Sequence, residues 1–446
     1  MKGGYVLESM KSNDSHWPSD LFQEALGEKD CGEWELIPSP KPTAEDKSVF
    51  GNFVSVYASF STSFAIEALK NLKQSSNDVV LDPYSGAGTT LAAAGKISLA
   101  SHGFDLSPFS VVLGKLRFTT QHAHLKDIEA EREFVDHDIE QWLSQDTVDL
   151  FASADLRYLL SLLPVSGQKN VCNWLNQSLT KRDTNWSHKE YAFFCAVVAA
   201  NKSAKVSTGS NPVWIRKLIM NEPGDQAKLK SLTKQFHKLL CANSSTSTAS
   251  HSTVQFADAR EMPIDDASID IALFSPPYLN RLDYFVNNLP TNMVLCDLAG
   301  LDNQIIRKDM IGSTKIRTKG ASPFPVGSYC QSLLNEIWNH PSKASKSYYY
   351  WNFTEYIEAT YRVSEELDRV MKPAGRGAIV IQDSFYKDVR VLTHQIVKEA
   401  MEAQGFKCRI ARRETVKGHM GRMSPRQIAY ANEKTLFESV LVFSRC

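Results

Sequence analysis

From Asn77 onward the chain alternates short apolar runs with amphipathic stretches. The segment 77–85, NDVVLDPYS, reads as a buried strand leaving into a glycine-rich turn, and 89–100, TTLAAAGKISLA, as the helix after it. A second pair follows: strand SHGFDLS (101–107), then helix SPFSVVLGKLRF (107–118), with Ser107 placed to cap it and Pro108 at its first position. After a long interruption the rhythm resumes with two strands, TVQFADA (253–259) and SIDIALFSPPY (268–278). An amphipathic helix, 353–375, is expected to stop at Pro373 and Gly375; strand 375–383, helix 391–406 and closing strands 407–414 and 438–445 complete the pattern. Strands alternating with helices predict an α/β class, a Rossmann-like, mostly parallel sheet with its last strand antiparallel and helices on both faces.

Outside that rhythm, residues 1–49 are polar and proline-dotted and read as an irregular N-terminal arm; 50–72 is apolar and ends in a helix. The catalytic domain is expected to comprise 50–120 and 251–446. A helical insertion, 121–250, interrupts it and is a candidate DNA-recognition region, and 279–350 forms a second insertion.

The turn Asp82-Pro-Tyr-Ser-Gly-Ala-Gly-Thr89 sits where the first strand meets its helix, and Gly86 and Gly88 let a ligand approach the backbone. Asp105 ends the next strand about 20 residues on, where a carboxylate can accept both hydroxyls of a ribose. Leu91 stands where a dinucleotide fingerprint has its third glycine, and Asp82 is a poor neighbour for a pyrophosphate but suits a cationic ligand carrying an ammonium and a sulfonium. Asp258 ends the third strand, where it can accept from an adenine amino group. After the fourth strand, Ser275-Pro276-Pro277-Tyr278 forms a rigid turn, since consecutive prolines fix φ and remove two backbone donors. The Ser275 hydroxyl and Pro276 carbonyl then offer two acceptors to an exocyclic amino group, freeing its lone pair to attack, and Tyr278 offers a stacking face for a base.

DPYSGAGTT, FDLSP and SPPY together resemble the prokaryotic DNA amino-methyltransferases, whose first motif is D-P-x-x-G-x-G-T-T and whose tetrad is (D/N/S)-P-P-(Y/F/W); SPPY is similar to the cytosine-N4 branch. The likeness covers about 200 residues, essentially the catalytic sheet. It implies S-adenosyl-L-methionine as cofactor, held by Asp82, Pro83, Tyr84, Ser85, Gly86, Gly88, Thr89, Asp105, Asp258 and Ala259. Ser275, Pro276, Pro277 and Tyr278 become the catalytic tetrad. It further implies double-stranded DNA as partner, the target base flipped out, and a cognate restriction endonuclease as a second partner. An adenine-N6 enzyme, an RNA amino-methyltransferase and an inactive SAM- or DNA-binding subunit stay open as alternatives. A cytosine-C5 enzyme does not, because no cysteine lies between Cys241 and Cys296 to act as nucleophile.

Charge narrows the picture. Lys plus Arg and Asp plus Glu number 50 each, so DNA must meet local positive charge. Two basic clusters are candidates: Arg307, Lys308, Lys315, Arg317 and Lys319; and Lys407, Arg409, Arg412, Arg413, Lys417, His419, Arg422 and Arg426. Both are expected to be flexible; 202–217 is a third candidate, and Asn280, Arg281 and Asp283 lie close enough to the tetrad to help. The eight cysteines are scattered without a metal-ligand spacing, so no metal is expected, and no apolar leader opens the chain. Both features, with no long apolar run, predict a cytoplasmic protein without membrane attachment.

Overall fold

The computed structural model describes residues 31–51, 53–54, 59–122, 177–179, 193–199, 206–208, 215–218, 226–243, 252–279, 283–316, 325–416 and 435–445. Seven strands form one sheet: β1 Val79–Asp82, β2 Ala100–Asp105, β3 Ser252–Phe256, β4 Ile269–Phe274, β5 Met371–Gln382, β6 Phe406–Val416 and β7 Leu436–Arg445. Their spatial order is β6-β7-β5-β4-β1-β2-β3. β7 pairs antiparallel with both β5 and β6, while the other pairings are parallel. The sheet is therefore Rossmann-like with one reversed strand, the last, as the sequence predicts. The chain steps outward from β1 through β2 to β3, then returns to place β4 on the other side of β1. That reversal opens a crevice at the carboxyl ends of β1 and β4, where open α/β sheets bind ligands.

Side chains alternate between the two faces of the central strands, with the period of two that a pleated sheet imposes. Val80, Ile271, Leu273, Ala378 and Val380 face one side, against α1 (Thr62–Leu72) and α2 (Thr89–Lys96). Leu81, Ala272, Ile379 and Leu441 face the other, against α7 (Tyr350–Val370) and α8 (Thr393–Ala403). At Gly377 an added Cβ would lie 2.2 Å from the Ala272 carbonyl oxygen and 2.5 Å from the Phe443 ring, so only glycine lets β5 pass between its neighbours. Helix α7 ends earlier than expected. Met371 already opens β5 in extended geometry, Lys372 before Pro373 is kept from helical geometry, and a register shift between Ile269 and Ile271 absorbs the irregular start.

Two insertions leave this sheet. The first, between α3 (Pro108–His122) and β3, contains α4 (Gln226–Asn243) and packs Phe193, Phe194, Phe236 and Leu240 onto Val112 and Leu116 of α3. The fully buried Lys115 of α3 donates to the Ser178 carbonyl at 2.7 Å. This insertion is not purely helical: Val206–Thr208 and Ile215–Leu218 pair as an antiparallel hairpin. The second contains α5 (Leu289–Leu298) and α6 (Ser328–Asn339).

Within the N-terminal arm, residues 31–49 are more ordered than their composition suggests. They carry helices Cys31–Leu36 and Ala44–Ser48, the latter started by a Thr43–Asp46 capping box. This part docks on β6: Arg412 donates to the Ile37 carbonyl, Ser39 donates to Glu414 at 2.7 Å, and Lys41 pairs with Glu414 at 3.1 Å. Residues 1–30 lie outside the described residues.

The basic clusters also differ from expectation. Arg412 pairs with Glu414 at 2.6 Å, and Arg413 pairs with the buried Asp383 at 3.1 Å while stacking 4.7 Å over Phe437. They sit on a paired strand and tie it to its neighbours, not on a flexible loop. Arg307 is likewise committed, donating through Nε (3.0 Å) and a terminal nitrogen (2.7 Å) to Asp283, which is 1% exposed. Thr314 and the Val286 N–H also donate to Asp283, so this carboxylate anchors the second insertion. Arg317, Lys319, Lys417, His419, Arg422, Arg426, Asn280, Arg281 and most of 202–217 lie outside the described residues.

Arg307→Met is therefore expected to destabilise the protein by about 3–5 kcal/mol, because it strands a buried charge. Urea unfolding of the variant measures this; unchanged stability would return Arg307 to the surface.

Candidate functional site

The crevice at the β1/β4 reversal is a cavity of about 140 Å³. Its walls include Pro83, Tyr84 and Gly86 from the glycine turn, Asp105 after β2, Asp258 and Ala259 after β3, and Ser275, Pro276 and Pro277 after β4. Residues separated by nearly 200 positions in sequence thus face one space, because the parallel strands end at the same edge.

Local geometry explains each placement. Gly86 and Gly88 have φ of +49° and +76°, left-handed values that glycine alone adopts freely, and Gly88 caps α2. The Gly86 N–H donates to Asp105 Oδ2 at 3.0 Å and the Ser107 N–H to Oδ1 at 2.7 Å, so the acid cross-links the turn to the start of α3. Ser107 caps α3 as expected, accepting from the Ser110 N–H at 3.2 Å. Burial pushes the Asp105 carboxyl up to about 6 against these bonds. Asp258 is held by Arg260 in a two-pronged pair, Nε to Oδ1 at 2.9 Å and a terminal nitrogen to Oδ2 at 2.5 Å.

Asp82 has a different place. It is buried under the turn and is not a wall of the cavity; nor are Ser85, Gly88, Thr89 and Tyr278. Its Oδ1 accepts from the Tyr84 N–H at 3.0 Å, and its Oδ2 lies 2.6 Å from the Thr90 hydroxyl, which is also 3.0 Å from the Leu273 carbonyl oxygen of β4. A hydroxyl has one proton for these two oxygens. Thr90 therefore divides its single proton between the Asp82 carboxyl and the Leu273 carbonyl. Burial pushes Asp82 up to about 7, against the Thr90 and Tyr84 bonds.

At the tetrad, Ser275 faces the cavity and its hydroxyl donates to the Tyr278 oxygen at 3.2 Å. Tyr278 is 7% exposed and packs among core residues, so its ring lies behind Ser275 and not on the cavity wall where a stacking face was expected. An aromatic wall residue beside the tetrad is Tyr284, whose hydroxyl accepts from the Tyr278 N–H at 3.4 Å. The Pro277 carbonyl has a partner, the Tyr356 hydroxyl at 3.0 Å, which fixes the turn from below.

One residue escaped the sequence reading. Asn287 lines the cavity, and both its side-chain nitrogen and oxygen are buried with no hydrogen-bond partner in the protein. A buried donor and acceptor left open together fit a polar ligand edge. No local motif marks this asparagine; only the fold of the second insertion brings it to the cavity.

These residues fit S-adenosyl-L-methionine in chemistry. Two carboxylates stand at adjacent strand ends for hydroxyl and amino groups, Gly86 has no obstructing side chain, and Phe109 and Leu113 give an apolar wall. Among the described residues no cluster of His, Cys, Asp or Glu could hold a metal ion, and no helix is long and apolar enough to cross a membrane.

No family model matches this chain, and no curated protein matches it. Solved structures are similar to it, among them the two that follow. The YcgJ protein from Bacillus subtilis aligns with a TM-score of 0.31 and 9% identity, over 85% of this chain and 97% of that one. The rRNA methyltransferase aviRa from Streptomyces viridochromogenes aligns with a TM-score of 0.28 and 10% identity, over 94% of each. Similarity at that level adds nothing to the sheet order itself.

Two outcomes follow from the site. Because Asp82 is raised from 3.8 to about 7, its contribution to stability is fully present below its ordinary value and is lost as pH rises through its folded value. Asp82→Asn should flatten that decline in urea unfolding between about pH 4 and 8, leaving a smaller one from Asp105; an unchanged pH profile would refute the raised carboxyl. Asn287→Leu removes an unpaired buried donor and acceptor and is expected to raise ligand-free stability by about 1–3 kcal/mol. It should also weaken ligand binding at the cavity. Calorimetric unfolding with and without S-adenosyl-L-methionine and DNA tests both effects, and a destabilised variant would mean the carboxamide is already satisfied.

Proposed function

We propose that this protein transfers a methyl group from S-adenosyl-L-methionine to the N4 amino group of cytosine in double-stranded DNA. The observation that supports this reading most is the shared cavity: the Gly86 turn, Asp105 and Asp258 face the same space as Ser275, Pro276 and Pro277. Asp105 would hold the ribose, Asp258 and Ala259 the adenine, and Tyr84 and Gly86 the remainder. When bound, the cofactor supplies an electrophilic methyl group on a sulfonium.

The chain's own groups do the rest. An exocyclic amino group is a poor nucleophile while its lone pair is shared with the ring. Ser275 Oγ and the Pro276 carbonyl accept its two hydrogens and favour a pyramidal nitrogen whose lone pair can attack directly. No covalent enzyme–base bond is needed, in keeping with the absence of cysteine from 242 to 295. A base inside a duplex cannot reach this crevice, so it must be flipped out at a cost of a few kcal/mol. Tyr284 and Pro277 provide the wall against which it rests.

Incubating the protein with duplex DNA and S-adenosyl-L-methionine, digesting to nucleosides and analysing by mass spectrometry tests the reading. N4-methylcytosine is expected. N6-methyladenine as sole product would reassign the base, and 5-methylcytosine would overturn the mechanism. Ser275→Ala should lower turnover about 100-fold, the scale of deleting one oriented hydrogen-bonding group, with cofactor affinity retained. Asp105→Ala should weaken cofactor binding about 10- to 100-fold in calorimetry.

A further inference from the structure

The geometry points to a proton relay running from the cavity into the sheet: Ser275 to Tyr278 to Glu438. It rests on the amino-methyl transfer proposed above and adds two residues to that site. The Ser275 hydroxyl donates to the Tyr278 oxygen at 3.2 Å, and the Tyr278 hydroxyl donates to Glu438 Oε1 at 3.4 Å. Both bonds point the same way, from the cavity toward the carboxylate. Their length is ordinary for a site awaiting substrate, where such contacts tighten on binding.

The chemistry requires an acceptor. When the amino nitrogen forms its bond to the methyl carbon it becomes cationic, and one N–H bond must break while its electron pair stays on nitrogen. A serine hydroxyl cannot keep that proton. In the relay, Ser275 Oγ takes the proton as it passes its own to Tyr278 Oη, and Tyr278 passes its own to Glu438 Oε1. Ser275 and Tyr278 end neutral, and Glu438 ends as a carboxylic acid. No other reactant is consumed.

The surroundings of Glu438 suit this task. It stands opposite Glu414 on β6 and Gln382 on β5, with Lys41 nearby. Burial and the facing Glu414 raise the Glu438 carboxyl, against the Tyr278 bond. Burial also opposes charge on Glu414, but Ser39, Lys41 and Arg412 hold it below its usual range. Two facing carboxylates are thus driven apart, Glu414 downward and Glu438 upward, as in sites that divide acid and base roles between a pair. The burial of the Tyr278 hydroxyl, unneeded for stacking in this position, has a role as the middle link.

Glu438→Gln and Tyr278→Phe, which keep shape, test the relay by steady-state kinetics across pH, with folding checked by circular dichroism. Each should retain S-adenosyl-L-methionine and DNA affinity while lowering kcat about 10- to 100-fold. The wild-type fall in kcat at low pH should vanish in Glu438→Gln. The double variant should lose no more than either single one, as for groups acting in series. In the ligand-free protein, infrared titration should find a carboxyl band that Glu438→Gln lacks, protonating above the ordinary glutamate range. A Glu438→Gln enzyme with an unchanged acid limb, or no such band, overturns the relay while leaving the methyl transfer standing. A wild-type protein that methylates no amino group of DNA overturns both.

Discussion

One hydroxyl holds the site together. Thr90, the second residue of α2, reaches both Asp82 at the end of β1 and the Leu273 carbonyl of β4, and it is completely buried. β1 and β4 are the strands between which the winding reverses, so they share few paired residues: Val80 with Ile271 and Leu81 with Ala272. The Thr90 bridge closes the junction that this short ladder leaves at its carboxyl end. The glycine turn and the Ser-Pro-Pro turn leave from the two sides of that junction. Their separation, and hence the width of the cavity, depends on it.

Side chains around the Pro-Pro turn supply hydrogen-bond partners that its own backbone lacks. Tyr356 serves the Pro277 carbonyl, Tyr284 approaches the Tyr278 N–H, and Ser384 donates to the Leu279 carbonyl. These partners come from α7, from the second insertion and from the segment after β5. A turn that cannot satisfy itself is thereby fixed by three elements, two of them distant in sequence, which is how rigidity is imposed where a substrate must be positioned. Next to it, Asp383 gathers His394, Arg390 and Arg413, with both arginines packed on Phe437.

The fold was largely legible because its signals are local. The apolar run 269–274, in which Asp270 alone is not buried, and the turn at 82–89 are written in consecutive residues, and so is the stop before Pro373. The walls of the cavity were legible where a motif ends a strand, as at Asp105, Asp258 and Ser275. What escaped the sequence depends on partners far along the chain. Arg307 and Arg413 look like free positive charge until Asp283 and Asp383 come into view, and nothing near Asn287 hints at a cavity. Tyr278 and Glu438 are 160 residues apart. The N-terminal segment 31–49 was misjudged for the same reason: polar, proline-rich composition describes its own preference and not the strand that receives it.

That segment carries a consequence for how the molecule meets other copies of itself. β6 is the last strand on its side of the sheet and is eleven residues long, and such a strand offers unpaired backbone groups to any extended chain that passes. Lys41 donates to the Thr415 carbonyl at 2.9 Å and Arg412 turns back to Ile37, so the arm lies along the far end of that border and occupies it. Residues 31–49 thus cover part of that edge, and through Ser39 and Lys41 they also hold Glu414 beside Glu438. The arm shields part of an open sheet edge, the kind of border on which extended chains can pair.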